Sequence, residues 1–172
     1  MQTLEGPIGG KPRGTVPRMS CIRQATQDDI PSLVRMARHF IKYAPHSALM
    51  EPNEEELVAQ SRMIVDTPMF GVFVADVDGE LVAMFVAVIG PVWFSPSRMM
   101  ASELAWWVEP HARNTPIAFR LLKAYEDWAK ENNADCMFMA SLEMDHGPNV
   151  ERMLTRFGYA KSETQYFKGT QT

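Results

Sequence analysis

Between Glu103 and Ala129 the chain reads ELAWWVEPHARNTPIAFRLLKAYEDWA, a run of strand character, a short loop anchored by Pro110 and Arg113, and then a strongly amphipathic helix. The loop carries no acidic residue after Glu109 and ends where the helix starts. The first N–H groups of a helix have no partners inside it and sit at the positive end of its dipole, so such a turn offers amides to a phosphate. A strand, an anion-ready turn and a helix in this order constrain the fold to one that mixes sheet and helix. They point to a phosphorylated cofactor.

The rest of the chain is read around that segment. A length of 172 residues suits one domain with a sizeable core, and with 46% hydrophobic residues most of it should fold. The exception is residues 1–20, which are rich in Gly and Pro, lack periodicity and read as a flexible tail; residues 21–172 form the domain. A formal net charge of −4 provides no basic footprint for nucleic acid. No apolar run approaches the roughly 20 residues of a membrane span, and the tail lacks the apolar stretch of a signal peptide. Two cysteines, Cys21 and Cys136, both in strand-like surroundings, read as buried structural thiols in a reducing cytoplasm.

A strand over 21–26 is followed by a helix capped by Thr26, with Asp29 three residues on and Ile30, Leu33, Val34, Ala37 and Ile41 on one face up to Tyr43. A loop over 44–53 precedes a second helix that starts at Glu54, turns Leu57, Val58, Ser61, Ile64 and Val65 inward, and stops at Pro68. GVFVADV and ELVAMFVAVI flank Asp78-Gly79, a strong two-residue hairpin signal, and both runs are apolar enough for a sheet covered on both faces. Residues 90–100 read as an irregular loop, DCMFMASL as a fifth strand, 148–157 as a helix closed by Gly158, and YAKSETQYFK as one or two terminal strands.

The central segment resembles the acetyl-CoA-binding core of the GNAT acyltransferase superfamily, whose strand ends Val-x-Pro and whose loop reads Arg/Gln-x-x-Gly-x-Gly/Ala. Val108, Pro110, Arg113, Ala118 and the pair Leu121-Leu122 match that register; Asn114 and Pro116 stand where many members have glycine. Proline removes one amide but fits a first helical turn, and Asn114 or Thr115 would cap the helix. The element order, β-α-α-β-β-β-α-β-α-β over residues 21–168, extends the likeness. It implies an α/β (α+β) GNAT fold: a twisted, mixed and mostly antiparallel sheet of about six to seven strands, four flanking helices, and a splay between the fourth and fifth strands. It also implies acetyl-CoA as cosubstrate, its pantetheine pairing with the backbone of Trp106, Trp107 and Val108. The diphosphate would lie on the loop of Arg113, Asn114, Thr115, Ile117 and Ala118, and Asn149 stands near a family pantetheine ligand. The loop, with its double tryptophan, is also similar to GNAT-like proteins of tailed bacteriophages, some thought to be virion components.

Acyl transfer to an amine requires a base, because an amine of pKa near 10 is protonated at neutral pH. Glu103, the only carboxylate in the fourth strand before its end, is the candidate catalytic base. The plainer alternative is a carboxylate in solvent or paired with Arg98. A backbone N–H of the fourth strand would hold the thioester oxygen, as the resemblance implies. Leu154 occupies the place of the tyrosine that serves many members as acid; Tyr159 and Tyr166 are out of register. The four histidines have no metal-ligand spacing, so no metal is expected. Adjacent Trp106 and Trp107 point to opposite faces, one to the core and the other to an acyl pocket. Trp93 and Phe94 mark either a partner surface or a buried pair.

Two functions follow. One is an acetyl-CoA-dependent N-acetyltransferase acting on a primary amine of a small molecule or protein, by direct attack in a ternary complex. The other is a GNAT-fold binding or structural module without turnover, in keeping with Pro116 and Leu154. A homodimer is compatible with either, in the host cytoplasm or, if phage-encoded, in a virion; neither nucleic acid nor membrane is an expected partner.

Overall fold

The computed structural model describes residues 20–44, 52–142 and 147–169; most of the N-terminal tail, His46 and His146 lie outside the described residues. The elements run β1 (Ser20–Gln24), α1 (Ile30–Tyr43), α2 (Glu54–Asp66), β2 (Phe70–Val77), β3 (Glu80–Val92), β4 (Ser95–Val108), α3 (Ile117–Glu131), β5 (Cys136–Phe138) and α4 (Gly147–Arg156). Among the described residues the sheet has five strands in the order β1-β2-β3-β4-β5. The first three pairings are antiparallel and β4–β5 is parallel, as a crossover through α3 requires.

Local chemistry accounts for the elements. Asp78 and Gly79 take φ of 55° and 88°, the left-handed pair of a tight hairpin turn, and the Asp76 carboxylate accepts the Gly79 N–H at 2.8 Å. The Asp29 carboxylate accepts the Thr26 N–H at 2.8 Å ahead of α1, and Asn53 accepts the Glu55 N–H at 2.8 Å at the start of α2. Gly158, with φ of 89°, ends α4.

The sheet separates two cores. On one face α1 brings Leu33, Val34 and Met36, with Leu57 and Val58 of α2 packed beside them, against Val72, Val74, Met84 and Trp107. On the other, α3 and α4 bring Leu121, Tyr125, Trp128 and Leu154 against Phe73, Phe85 and Ala101. Central strands apolar on both faces are what such a two-sided sheet needs.

Three expectations are corrected. The stretch 90–100 is no irregular loop: β3 and β4 continue through it as a long hairpin whose two-residue tip, Trp93-Phe94, stands 88% and 73% exposed. Among the described residues the sheet has five strands, not six to seven, because residues 160–169 form no strand and only Cys136–Phe138 of the fifth run pairs. Cys21 and Cys136 lie on strands but are exposed, since each belongs to a strand at an edge of the sheet.

Candidate active site

The strand β4 changes partner along its length. Its first half pairs with β5 at Met100, Ala101 and Ser102, opposite Cys136, Met137 and Phe138, and the pairing ends there. Just beyond, the register to β3 shifts: Ala87 faces Glu103 and Val86 faces Ala105, so Leu104 is an extra residue. A bulge bends and twists its strand, which turns the second half of β4 away from β5. The two strands form a fork.

Glu103 stands at the crotch of that fork. Its carboxylate accepts the N–H of Ala140, from the chain just past β5, at 3.2 Å. Burial pushes its pKa up to about 7, against which the Ala140 N–H pulls weakly down. The ion pair expected as its plainer alternative does not form: Arg98 pairs with Asp135 at 2.5 Å. Beside it Tyr125, fully buried on α3, donates its hydroxyl to the Phe138 carbonyl at 3.2 Å and pins the last paired residue of β5. Burial, followed by the nearby Tyr159, raises the Tyr125 hydroxyl far above its ordinary pKa, so it stays a neutral donor.

Past the fork, no strand among the described residues pairs with the outer edge of β4. The Glu109 N–H donates to the Val82 carbonyl at 2.9 Å, and in an antiparallel ladder the next groups facing β3 are those of Trp107. The peptide groups of Trp106 and Val108 therefore face the cleft. Trp106 packs on Phe85 on the α3 face, with ring centroids 5.6 Å apart, while Trp107 is buried on the α1 face. The adjacent indoles do point to opposite faces.

The turn after β4 carries the amides. Asn114 has φ of 64°, a left-handed conformation that asparagine tolerates and glycine favours, which explains how it can stand in a glycine position. Thr115 accepts the Ile117 N–H through its hydroxyl at 3.4 Å, a long cap, and donates that hydroxyl to the Ala112 carbonyl at 2.6 Å. Helix geometry leaves the Ala118 and Phe119 amides without acceptors in α3, and Pro116, with no N–H, precedes them.

Two expected site residues make contacts of their own in the fold. The Arg113 side chain turns back onto β4, where Nε donates to the Val108 carbonyl at 3.0 Å and the guanidinium lies 4.8 Å from the Trp107 ring centroid. Only the Arg113 backbone belongs to the turn. Asn149 lies in the first turn of α4, exposed, and its side-chain oxygen accepts a hydrogen bond from Arg152. Leu154 is buried in the α3/α4 core.

Four residues escaped the sequence reading. Glu109, 4% exposed, accepts from Arg35 Nη1 at 2.8 Å and from His39 Nδ1 at 3.0 Å, and Arg35 Nη2 also donates to the Leu81 carbonyl at 2.8 Å. Tyr43 lies on Trp107 with centroids 5.2 Å apart. The only signal was that Arg35, His39 and Tyr43 recur every four residues on one face of a helix. Among the described residues no group of three or more His, Cys, Asp or Glu is placed to hold a metal ion, and no helix is long and apolar enough to cross a membrane.

A sheet forked between parallel strands, open along one arm and ending at a turn of free amides, defines a domain that can take a long ligand with an amide-bearing arm and an anionic head. A family model described as the acetyltransferase (GNAT) family matches residues 33–159, and the chain belongs to that family. No curated protein sequence matches the chain. Among solved structures, a transcriptional regulator from Bacillus halodurans is similar with a TM-score of 0.71 at 18% identity, over 88% of this chain and 99% of that one. A predicted acetyltransferase with acetyl-CoA from Clostridium acetobutylicum has a TM-score of 0.67 at 19% identity, over 88% and 96%. An aminoglycoside acetyltransferase from an uncultured soil metagenomic sample, in complex with sisomicin, has a TM-score of 0.65 at 17% identity, over 89% and 97%. At these identities the likeness is one of fold.

Proposed function

We propose that this protein is an acetyl-CoA-dependent N-acetyltransferase that acts on a primary amine of a small molecule or protein by direct attack in a ternary complex. The observation that carries the reading is Glu103, a carboxylate at the crotch of the fork whose burial brings its pKa to about 7. A base is most useful when its pKa lies near the working pH, because it is then both available and strong enough.

The residues fit the cosubstrate. The outward peptide groups of Trp106 and Val108 offer pairing to the amides of a pantetheine arm, and the Ala118 and Phe119 amides at the start of α3 suit a diphosphate. Seating the arm requires the Val108 carbonyl to exchange Arg113 Nε for a ligand amide. In the transfer step Glu103 takes the ammonium proton, the amine nitrogen bonds to the thioester carbonyl carbon, and the C–S bond breaks. A β4 N–H faces the developing oxyanion. With Leu154 buried in the core in place of a tyrosine, the second nitrogen proton passes through water to the departing thiolate.

One observation favours a second reading. The buried Leu154, together with Pro116, fits a GNAT-fold module that binds without turnover, such as a structural component of a phage particle. Calorimetry with acetyl-CoA and CoA, followed by mass spectrometry of an amine panel that includes aminoglycosides and protein N-termini, separates the two. Binding near the micromolar range, roughly −8 kcal/mol, with an acetylated product lost in Glu103→Gln, supports the transferase. Binding with no product from any amine supports the inert module, and absence of binding removes both.

A further inference from the structure

One face of α1 grips the exit of β4. Arg35, His39 and Tyr43 follow one another at intervals of four residues, which stacks them along one stripe of the helix. They meet three residues at the end of β4 and in its turn. Arg35 and His39 bind the Glu109 carboxylate, His39 and Tyr43 lie against the Trp107 indole at 6.2 and 5.2 Å between centroids, and the Arg113 guanidinium stacks over the same indole.

Glu109 is the pivot. Its N–H is held by β3 through Val82, its carboxylate by α1, and its carbonyl accepts the Ala112 N–H at 2.9 Å, which opens the short 3-10 turn over Pro110–Ala112 leading to Arg113. A buried carboxylate of this kind costs a great deal unless it is paired. Two side chains of one helix, Arg35 and His39, therefore fix where the turn leaves the sheet.

We propose that Arg35, His39 and Tyr43 are positioning residues for the anion-binding turn, setting affinity for the diphosphate end of the cosubstrate through Glu109 and Trp107. None of the three reaches the Ala118 and Phe119 amides; they act by holding the backbone from which those amides project. The proposal rests on the reading of that turn as a diphosphate seat.

His39 is the residue to test, because it is only partly buried and its removal leaves the Arg35–Glu109 pair and the core intact. Its Nδ1 must carry a hydrogen toward the carboxylate, and the side-chain amide of asparagine places a donor near the same point. His39→Ala should weaken acetyl-CoA binding roughly five- to tenfold, the size of one lost hydrogen bond. Binding of S-acetylpantetheine, which lacks the diphosphate, should be unchanged. In the protein without ligand, amide hydrogen exchange over residues 110–119 should quicken in His39→Ala and return to the wild-type rate in His39→Asn, as should the affinity. Wild-type exchange and affinity in His39→Ala would overturn the proposal. So would equal losses for both ligands with faster exchange throughout the chain. If the wild-type protein bound neither ligand, the transferase reading would fall, and the exchange of residues 110–119 would still decide the positioning claim.

Discussion

Replacing Glu103 by glutamine should make the protein more stable at alkaline pH while removing the proposed transferase activity. The carboxyl ionises near 4.5 in an unfolded chain and at about 7 in the fold, because burial disfavours its charge. Between those values the folded state holds more protons than the unfolded state, so stability falls as pH rises and then levels off above pH 7. At 1.36 kcal/mol per unit, a shift from 4.5 to about 7 corresponds to about 3 kcal/mol. Glu103 is half-buried at the mouth of a cleft, and solvent screening reduces this to about 2 kcal/mol.

Glutamine has nearly the same shape, keeps an oxygen for the Ala140 N–H, and does not titrate. All other groups titrate alike in the two proteins, so their difference in unfolding free energy isolates this site. Urea denaturation at pH 4.5, 6, 7 and 8 should show the variant level with wild type at the lowest pH and about 2 kcal/mol more stable at the highest. In wild type, kcat/KM should climb with pH through an apparent pKa near 7. A difference in stability that stayed flat across this range would refute the reasoning, since it would mean that Glu103 titrates in the fold as it does in the unfolded chain.

Asp29 should show the opposite sign: the hydrogen-bonded Arg23 guanidinium holds its pKa at about 2, from 3.8, so the stabilisation is complete above pH 4 and lost as pH falls through 2. Asp29→Asn should cost about 2 kcal/mol at pH 7 by urea denaturation and progressively less on acidification. Gly71→Ala should cost about 1–3 kcal/mol in the same assay, because a Cβ there would lie 2.8 Å from Trp128 Cδ2 and the buried indole has no room to retreat. Thr115→Asp should lose the hydrogen bond that the Thr115 hydroxyl donates to the Ala112 carbonyl, costing about 1 kcal/mol in melting experiments, and calorimetry should show acetyl-CoA affinity reduced roughly tenfold by repulsion of the diphosphate.

Much of the architecture was legible because it rests on signals close together in the chain. The Asp78-Gly79 turn, the Thr26–Asp29 cap, the positive φ of Gly158 and the face of Ile30, Leu33 and Val34 each follow from a few neighbouring residues. The misreadings came where local composition and pairing disagree. Pro91 and Pro96 made 90–100 look irregular, but proline is tolerated at the free end of a hairpin, where the ladder has little to lose. The terminal run YAKSETQYFK has strand-forming residues, but a strand needs a partner edge, and β5 is only three residues long.

The site divides along the same line. Glu103 could be singled out as a carboxylate in an apolar strand, but the bulge at Leu104 that sets it at a fork depends on the register with β3, which no short stretch encodes. Glu109 lies 74 residues from Arg35 and 70 from His39, and in sequence it is merely an acidic residue before a proline. Folding converts it into the joint between α1 and the turn. A loop seldom holds its own shape; its amides converge on a ligand because the flanking strand, a distant helix and one buried carboxylate fix where it begins. Arg113 follows this logic, spending its guanidinium on Trp107 and the Val108 carbonyl, so that what the turn presents to an anion is backbone. Variation in that loop, with asparagine or proline in place of glycine, is therefore compatible with the proposed seat as long as the joint behind it is kept.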